Sequence, residues 1–224
     1  YEFTAQAVRT LFDMGCPIVI LACNTASAKA LRTIQQIDLP KIDPRKRVLG
    51  IIRPTVEYLD EITETRHVGI LATPGTVKSQ SYPLEIKKLF PDITVSSEAC
   101  PIWVPLVETG EAQSEGTDYF IRRHIENLLS KDDKIDTIIL GCTHYPILYD
   151  KIRKYTPKHI KVIKQGEYVG RSLVNYMKRH PEMENLCTKQ GTCRFLTTES
   201  SEIFRDYASI FFDDDIHVRS IALK

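Results

Sequence analysis

The stretch Thr137–His144 (TIILGCTH) and the stretch Ile18–Thr25 (IVILACNT) decide the fold, because both are apolar runs that end in the same pattern. Aligned on cysteine, each carries three branched aliphatic residues, one small residue, the cysteine and then a hydroxyl- or amide-bearing residue. Such runs, when helical patterns follow them, are typical of buried parallel strands. Ligand sites in open α/β sheets lie at the carboxyl ends of strands, so we expect Cys23 and Cys142 at such a site. Two thiols on related halves, facing one ligand from opposite sides, suggest a reaction with two bases.

Helical and strand patterns alternate along the chain, which predicts an α/β fold with mostly parallel sheets. We expect a helix that continues to Phe90, with a kink or a boundary at Pro83. Another helix is predicted over Ser200–Phe211, and the polar stretch Pro181–Gly191 is predicted as the longest loop. The predicted strands are Pro17–Ala22, Arg47–Ile52, His67–Ala72, Thr94–Ala99, Thr137–Leu140, His159–Ile163, Arg194–Leu196 and Ile216–Ala222.

The composition excludes several classes of protein. The 224 residues, 42% of them hydrophobic, suffice for one large or two small domains. A net charge of +1 gives no basic field for nucleic acid or an anionic membrane. No apolar stretch has membrane-spanning length, and no secretory signal is visible. The six cysteines do not resemble a disulfide framework and contain no zinc-type spacing, so a cytoplasmic protein with free thiols and no metal site is expected.

Two segments place polar groups beside the thiols. Cys23 precedes a predicted helix N-terminus, whose dipole favours a thiolate, and Asn24 and Thr25 offer donors suited to a carboxylate. The alternative is a buried cysteine followed by a helix cap. In the second segment, Cys142 is followed at once by Thr143 and His144, and the imidazole could tune the thiol or carry its proton. A structural cysteine beside a surface histidine is the alternative there.

Two further segments carry weaker signals. Thr73 and Thr76 lie in a turn between a predicted strand and a helix, where hydroxyl groups and backbone N–H groups can bind an anion. Helix capping alone would also explain them. Glu108 ends an apolar stretch and is either an acid/base or orienting group or an ordinary exposed glutamate.

At these residues the chain resembles the glutamate racemases of the aspartate/glutamate racemase superfamily. The matching segments are Ala22–Ser27 (ACNTAS), Gly141–Pro146 (GCTHYP), Ala72–Thr76 (ATPGT), Cys100–Glu108 and Gly50–Pro54 (GIIRP), which follow one another in the family's order. His144 favours glutamate racemases, because aspartate racemases look more like Cys-Thr-Glu at this place. A racemase of a related acidic amino acid, such as aspartate, is the alternative within the superfamily.

The resemblance implies cofactor-independent racemisation of L- and D-glutamate, which supplies D-glutamate for peptidoglycan. It implies that Cys23 takes the α-proton from D-glutamate and Cys142 takes it from L-glutamate. Polar partners of the thiols would be His144 and Glu108. The substrate's carboxylates and amino group would be bound by Asn24, Thr25, Thr73, Thr76 and Thr143. A homodimer is possible, and no pyridoxal cofactor is implied.

The chain also departs from the family pattern. The chain starts at Tyr1, inside an apparent helix, so the family's N-terminal Asp-Ser-Gly strand and Pro-Tyr-Gly loop are expected to be missing. The segment Lys164-Gln165-Gly166 lies where an Asp-containing turn is usual, and Arg53 lies where an acidic residue is common. A catalytically impaired fragment, which would bind D-glutamate weakly or not at all, is therefore one alternative. A hydrolase or acyltransferase that uses Cys142 and His144 is another.

We expect two pseudo-symmetric α/β domains with the active site in the cleft between them. The first domain would comprise residues 1–47 and 164–224, and the second would comprise residues 48–163. Closure of the two halves would desolvate the cleft and strengthen a thiolate as a base.

Overall fold

The structure is a computed structural model that describes residues 1–189, 191–208 and 216–223. In the described residues, helices and strands alternate as predicted. The strands are β1 Ile18–Leu21, β2 Arg47–Gly50, β3 His67–Ala72, β4 Thr94–Ala99, β5 Thr137–Gly141, β6 Lys161–Ile163, β7 Phe195–Thr197 and β8 Val218–Ser220. The helices are α1 Glu2–Asp13, α2 Asn24–Thr33, α3 Leu39–Ile42, α4 Ile52–Val56, α5 Leu59–Ile62, α6 Pro74–Ser79, α7 Ser81–Leu89, α8 Trp103–Glu108, α9 Glu115–Leu129, α10 Tyr149–Tyr155, α11 Gln165–Arg179, α12 Pro181–Leu186 and α13 Ser201–Ala208.

All strand pairs among the described residues are parallel, which confirms the predicted α/β class. The largest sheet has four strands in the order β4-β3-β5-β6, while β1 pairs with β2 and β7 pairs with β8. Parallel strands need long crossover connections, and helices supply them here. In the four-stranded sheet Ala72 pairs with Gly141, so the residues that follow β3 and β5 emerge side by side at one edge.

Strand β5 is buried along its whole length, as an apolar run between two helical layers should be. Ile138 and Leu140 face a core that contains Trp103, the only tryptophan of the chain, which is fully buried. Ile139 faces the opposite core, built around β3 and helix α7. Because side chains pack against both faces of this strand, it holds the backbone of Cys142, the residue that follows it, in a fixed position.

Strands β1 and β2 form a second, smaller sheet with its own core. Val19 and Leu21 pack with Val8 and Phe12 of helix α1. All four residues of β2 pair with β1, so residues 48–50 lie with this sheet, although the predicted domain boundary falls between residues 47 and 48. The division into two domains stays a prediction.

Four local predictions need correction or restriction. The segment after Thr73 is not a loop but helix α6, capped by the Thr73 hydroxyl, which accepts from the N–H of Thr76. The helix that follows is interrupted at Gln80, whose φ of 56° is left-handed, and not at Pro83, which lies in the first turn of α7 where proline is tolerated. The predicted loop Pro181–Gly191 begins with helix α12, started by Pro181. Helix α13 lies inside the predicted Ser200–Phe211, of which positions 209–211 are outside the described residues.

Candidate active site

The two cysteine turns meet at the carboxyl edges of β1 and β5. Cys23 is the exposed N-cap residue of helix α2, and Cys142 follows β5 directly and is buried, with 8% of its surface exposed. A charge on Cys23 raises the pKa of the Cys142 thiol, so the two sulfur atoms lie within electrostatic range of each other. Tyr82 also links the two turns, because its hydroxyl donates to the Asn24 Oδ1 and its ring lies against Gly141.

The surroundings of Cys142 favour its protonated form. Burial is the main cause that raises the pKa of this thiol, and negative charge on Cys23 and Glu108 raises it further. Hydrogen bonds from the His144 backbone and the Thr143 side chain act in the opposite direction without cancelling the rise. Cys142 is therefore a thiol, and a potential proton donor, in the resting site.

His144 lies between Cys142 and Glu108. Its Nδ1 is 3.8 Å from the Cys142 Sγ, and its Nε2 is 3.2 Å from the Glu108 Oε1. Glu108 ends helix α8, so an acidic side chain that is far away in sequence reaches the second cysteine turn. The three side chains form a chain of groups through which a proton can be held near the sulfur.

Three threonine hydroxyl groups form a triangle across the two cysteine-bearing halves. The Thr25 Oγ1 is 2.9 Å from that of Thr73 and 3.1 Å from that of Thr76, and the last two are 3.1 Å apart. Thr25 lies in the first turn of α2, and the other two at the start of α6. Hydroxyl groups beside helix N-termini are suited to a carboxylate, as the sequence predicted. Thr143 lies apart from this triangle, exposed beside Cys142.

Asn24, the remaining predicted residue, lies in a buried network whose other members were not predicted as site residues. Its Nδ2 donates to the Gln165 Oε1 at 2.7 Å, and its Oδ1 accepts from the Tyr82 hydroxyl at 2.8 Å. The Gln165 Nε2 donates to the Tyr82 hydroxyl at 2.7 Å and to the Thr55 Oγ1 at 2.9 Å. Only the departure of the segment Lys164-Gln165-Gly166 from the family pattern marked this part of the sequence.

Gly141 explains how closely the second cysteine turn packs. A Cβ at this position would lie 3.1 Å from the Ala72 Cβ, 3.3 Å from the Leu71 carbonyl oxygen and 3.3 Å from the Tyr82 ring. Distances this short require neighbouring atoms to move, and one of these atoms belongs to the backbone. A small residue is therefore required immediately before Cys142.

In the described part of the chain, no three His, Cys, Asp or Glu side chains are grouped so that they could hold a metal ion. None of the helices there is both long and apolar enough to cross a membrane. A cavity of about 700 Å³ opens beside the segment Gly50–Pro54 and helix α11, but neither Cys23 nor Cys142 lines it.

Fold and site together define the class: an α/β protein with two thiols at the carboxyl edges of parallel strands. Residues 3–167 match the family model described as Asp/Glu/Hydantoin racemase. A glutamate racemase of Roseobacter denitrificans is 37% identical over 221 residues, which cover 94% of this chain and 79% of that protein. The chain belongs to the Asp/Glu/Hydantoin racemase family.

Solved structures of glutamate racemases have the same fold. The structure of an isoform from Bacillus anthracis matches with a TM-score of 0.87 and 26% identity, over 99% of this chain and 80% of that one. The enzyme from Francisella tularensis, solved in complex with D-glutamate, matches with a TM-score of 0.84 and 29% identity, over 99% and 80% of the two chains.

Proposed function

We propose that this chain racemises L- and D-glutamate without a cofactor, using Cys23 and Cys142 as the two acid/base groups. The observation that carries the proposal is that Tyr82 links the two thiol turns, because its hydroxyl donates to Asn24 beside Cys23 and its ring lies against Gly141 beside Cys142. The likeness to glutamate racemases over nearly the whole chain supports glutamate as the substrate.

The reaction moves one proton off the α-carbon and returns another to its opposite face. With D-glutamate bound, the Cys23 thiolate takes the α-proton and becomes a thiol. Cys142, which burial keeps protonated, gives its S–H proton to the other face and becomes a thiolate. The product is L-glutamate, and the exchanged protonation states suit the reverse reaction.

The polar groups around the thiols have separate roles in this proposal. Thr25, Thr73 and Thr76 offer hydroxyl donors to a carboxylate, which would stabilise the negative charge that develops at the α-carbon. Asn24 and Thr143 are proposed as further substrate ligands. His144, held by Glu108, would stabilise the Cys142 thiolate after proton transfer.

A hydrolase that uses Cys142 and His144 is the second candidate, since the contact of these side chains with Glu108 also suits nucleophilic catalysis. Such an enzyme needs an activated thiolate, and the raised pKa of Cys142 opposes this. It also assigns no role to Cys23. The racemase proposal uses all of these groups.

Three wider features belong to the same proposal. We expect a cytoplasmic enzyme that supplies D-glutamate for peptidoglycan, with its two α/β halves closing around the substrate. A homodimer is proposed as the solution state, and sedimentation of the purified chain would test it. A monomer at assay concentration with full activity would remove dimerisation from the mechanism.

The decisive experiment follows loss of the α-proton signal of D- and L-glutamate by NMR in deuterated buffer. We expect exchange by the wild-type chain and a loss of at least about a thousandfold in Cys23→Ser and Cys142→Ser, because serine is a far weaker acid than cysteine. Cys193→Ser is the control, since Cys193 is exposed and lies outside the site. The Francisella tularensis enzyme serves as the positive control.

Each other outcome favours a named alternative. Full activity of either serine variant would disprove the two-thiol mechanism. Absence of exchange by the wild-type chain, with weak binding of D-glutamate or none, would favour a catalytically impaired fragment. A covalent acyl group on Cys142 would favour the hydrolase. Faster exchange of aspartate than of glutamate would change the substrate.

A further inference from the structure

A closed set of hydrogen bonds lies beneath the Cys23 turn. It joins Asn24, Gln165, Tyr82 and Thr55, and each of these residues is at most 7% exposed. Buried polar groups that are fully satisfied hold one geometry, because every alternative leaves a group unpaired. The direction of each hydrogen bond in the set can therefore be derived.

The Thr55 hydroxyl fixes the direction of the first hydrogen bond. Its single hydroxyl hydrogen is donated to the Ile51 carbonyl oxygen at 2.9 Å, so its Oγ1 is an acceptor toward Gln165. The group of Gln165 that faces Thr55 must therefore be the NH₂ group, which also donates to the Tyr82 hydroxyl. The Gln165 Oε1 then points at Asn24 as an acceptor.

The orientation of the Asn24 amide follows from that of Gln165. The Asn24 Nδ2 must face the Gln165 Oε1, and the Asn24 Oδ1 must face the Tyr82 hydroxyl, which has its own hydrogen free to donate. Gln165 takes one of the two Nδ2 hydrogens, and this is the hydrogen bond found for this nitrogen in the described part of the chain. The remaining hydrogen is a donor of fixed direction beside Cys23.

Tyr82 connects the same set to the other thiol. Its hydroxyl binds Asn24, the neighbour of Cys23, while its ring lies against Gly141, the neighbour of Cys142. The electrostatic influence of Cys142 reaches the Tyr82 hydroxyl. A change in the set would therefore be felt at both cysteine turns.

We propose that Gln165 is a positioning residue of the active site, which, anchored by Thr55 and Tyr82, keeps the Asn24 amide turned with its N–H toward the substrate carboxylate. This proposal rests on the proposed function for its substrate. It assigns no proton transfer to Gln165. Its effect passes through Asn24 and should appear in the binding of glutamate more than in the rate of the chemical step.

The first test removes the anchor. Thr55→Val keeps the shape of the side chain but deletes the hydroxyl that sets the direction of the Gln165 amide. We expect the KM for D-glutamate to rise about tenfold while kcat falls less, as when a hydrogen bond to a charged group is weakened. A variant that merely unfolds in part would lower kcat and leave KM unchanged, so the two effects are separable.

The control is Thr156→Val. Thr156 is also buried, at 5% exposed, and its Oγ1 donates to the carbonyl oxygen four residues earlier, as that of Thr55 does. It contacts no residue of the set, so we expect its KM to stay within about twofold of wild type, as for a substitution without a special role. Circular dichroism would establish that both variants are folded.

The second test is Gln165→Glu, which keeps the shape but removes both N–H donors. Burial raises the pKa of a carboxyl group, and its neutral form regains one O–H donor at low pH. The ratio of variant to wild-type kcat/KM should therefore rise as the pH falls from 8 to about 6. A flat ratio, together with KM values of both variants within about twofold of wild type, would overturn the proposal.

A readout without catalysis separates this proposal from the proposed function. The Asn24 side-chain N–H signals, assigned by their loss in Asn24→Asp, should exchange slowly with water in the wild-type chain and at least about tenfold faster in Thr55→Val. If the wild-type chain fails to racemise glutamate, the proposed function fails, and this comparison of exchange rates still tests whether Gln165 positions the Asn24 amide. Equal exchange in the two proteins would overturn the proposal.

Discussion

The buried thiol of Cys142 makes a prediction about chemical reactivity at the scale of a single residue. Because burial and the charge of Glu108 raise its pKa, alkylation by iodoacetamide should begin at a higher pH than for N-acetylcysteine. Glu108→Gln should move this midpoint to lower pH, since the substitution removes a negative charge near the sulfur. Peptide mass spectrometry across a pH series measures both midpoints.

The control for this experiment is Glu115→Gln, because Glu115 is exposed at the start of α9 and is not among the causes of the Cys142 shift. A Cys142 midpoint below that of the free thiol would mean a resting thiolate. That result would favour the hydrolase.

Gly141 makes a second prediction at this scale. Gly141→Ala should destabilise the fold by about 1–3 kcal/mol, because the new Cβ is pressed against the Leu71 carbonyl oxygen and the Tyr82 ring. It should also lower the rate of racemisation, since Cys142 follows directly.

Gly170→Ala is the matched control, because nothing lies within 4 Å of its added Cβ. Alanine inside helix α11 should stabilise the fold by about 0.5–1 kcal/mol. Urea unfolding measures whether Gly141→Ala lowers and Gly170→Ala raises the free energy of unfolding. Equal values for the two variants would contradict the expectation.

At the scale of elements, Asp136 joins the start of β5 to the turn before β3. Its carboxylate accepts from the Thr65 and Glu64 N–H groups and from the Thr63 hydroxyl, at 2.6–2.7 Å. Burial alone would raise its pKa, but these hydrogen bonds lower it to about 2. A carboxyl group with a lowered folded-state pKa stabilises the fold above its unfolded pKa of about 3.9. This contribution is lost as the pH falls from about 4 to 2.

Asp136→Asn should therefore lower the free energy of unfolding by about 2 kcal/mol at pH 7, and the difference from wild type should shrink near pH 3. Asp133→Asn is the control, because Asp133 is exposed in the same connection, and its effect should stay within about 0.5 kcal/mol. Denaturant unfolding at the two pH values gives both numbers. A cost that is the same at pH 7 and pH 3 would show that the charge of Asp136 is not its source.

At the scale of the whole molecule, the two thiols follow strands that differ in burial and in the number of neighbouring strands. Cys142 follows β5, which lies between β3 and β6 and is buried throughout, whereas Cys23 follows β1, which pairs only with β2 among the described strands. Backbone amides of β1 should therefore exchange hydrogen with solvent faster than those of β5. If both halves hold the substrate, D-glutamate should slow the hydrogen exchange of the β1 amides more than L-lysine, the control ligand, does. Exchange of β1 as slow as that of β5 would contradict this difference.

The sequence predicted most of the fold because its strand signals are local. The bounds of β3 and β4 agree with the prediction to the residue, and β5 is one residue longer, since apolar runs bounded by polar turns are visible in the chain itself. The candidate site was predictable where polar residues adjoin the thiols. Gln165 was not, because its role depends on Thr55 and Tyr82, which lie 110 and 83 residues earlier and meet it only in the folded chain.

The position of Trp103 gives the molecule a one-sided optical signal. It is the only tryptophan, and it packs edge-on against Tyr145 in the core beneath Cys142. Intrinsic fluorescence excited at the red edge of the indole band therefore originates in the half that carries Cys142. If the half that carries Cys23 loosened first, the emission spectrum would not change, although far-ultraviolet ellipticity would. Melting curves recorded with the two signals would separate, and the gap between them would measure how independently the halves unfold.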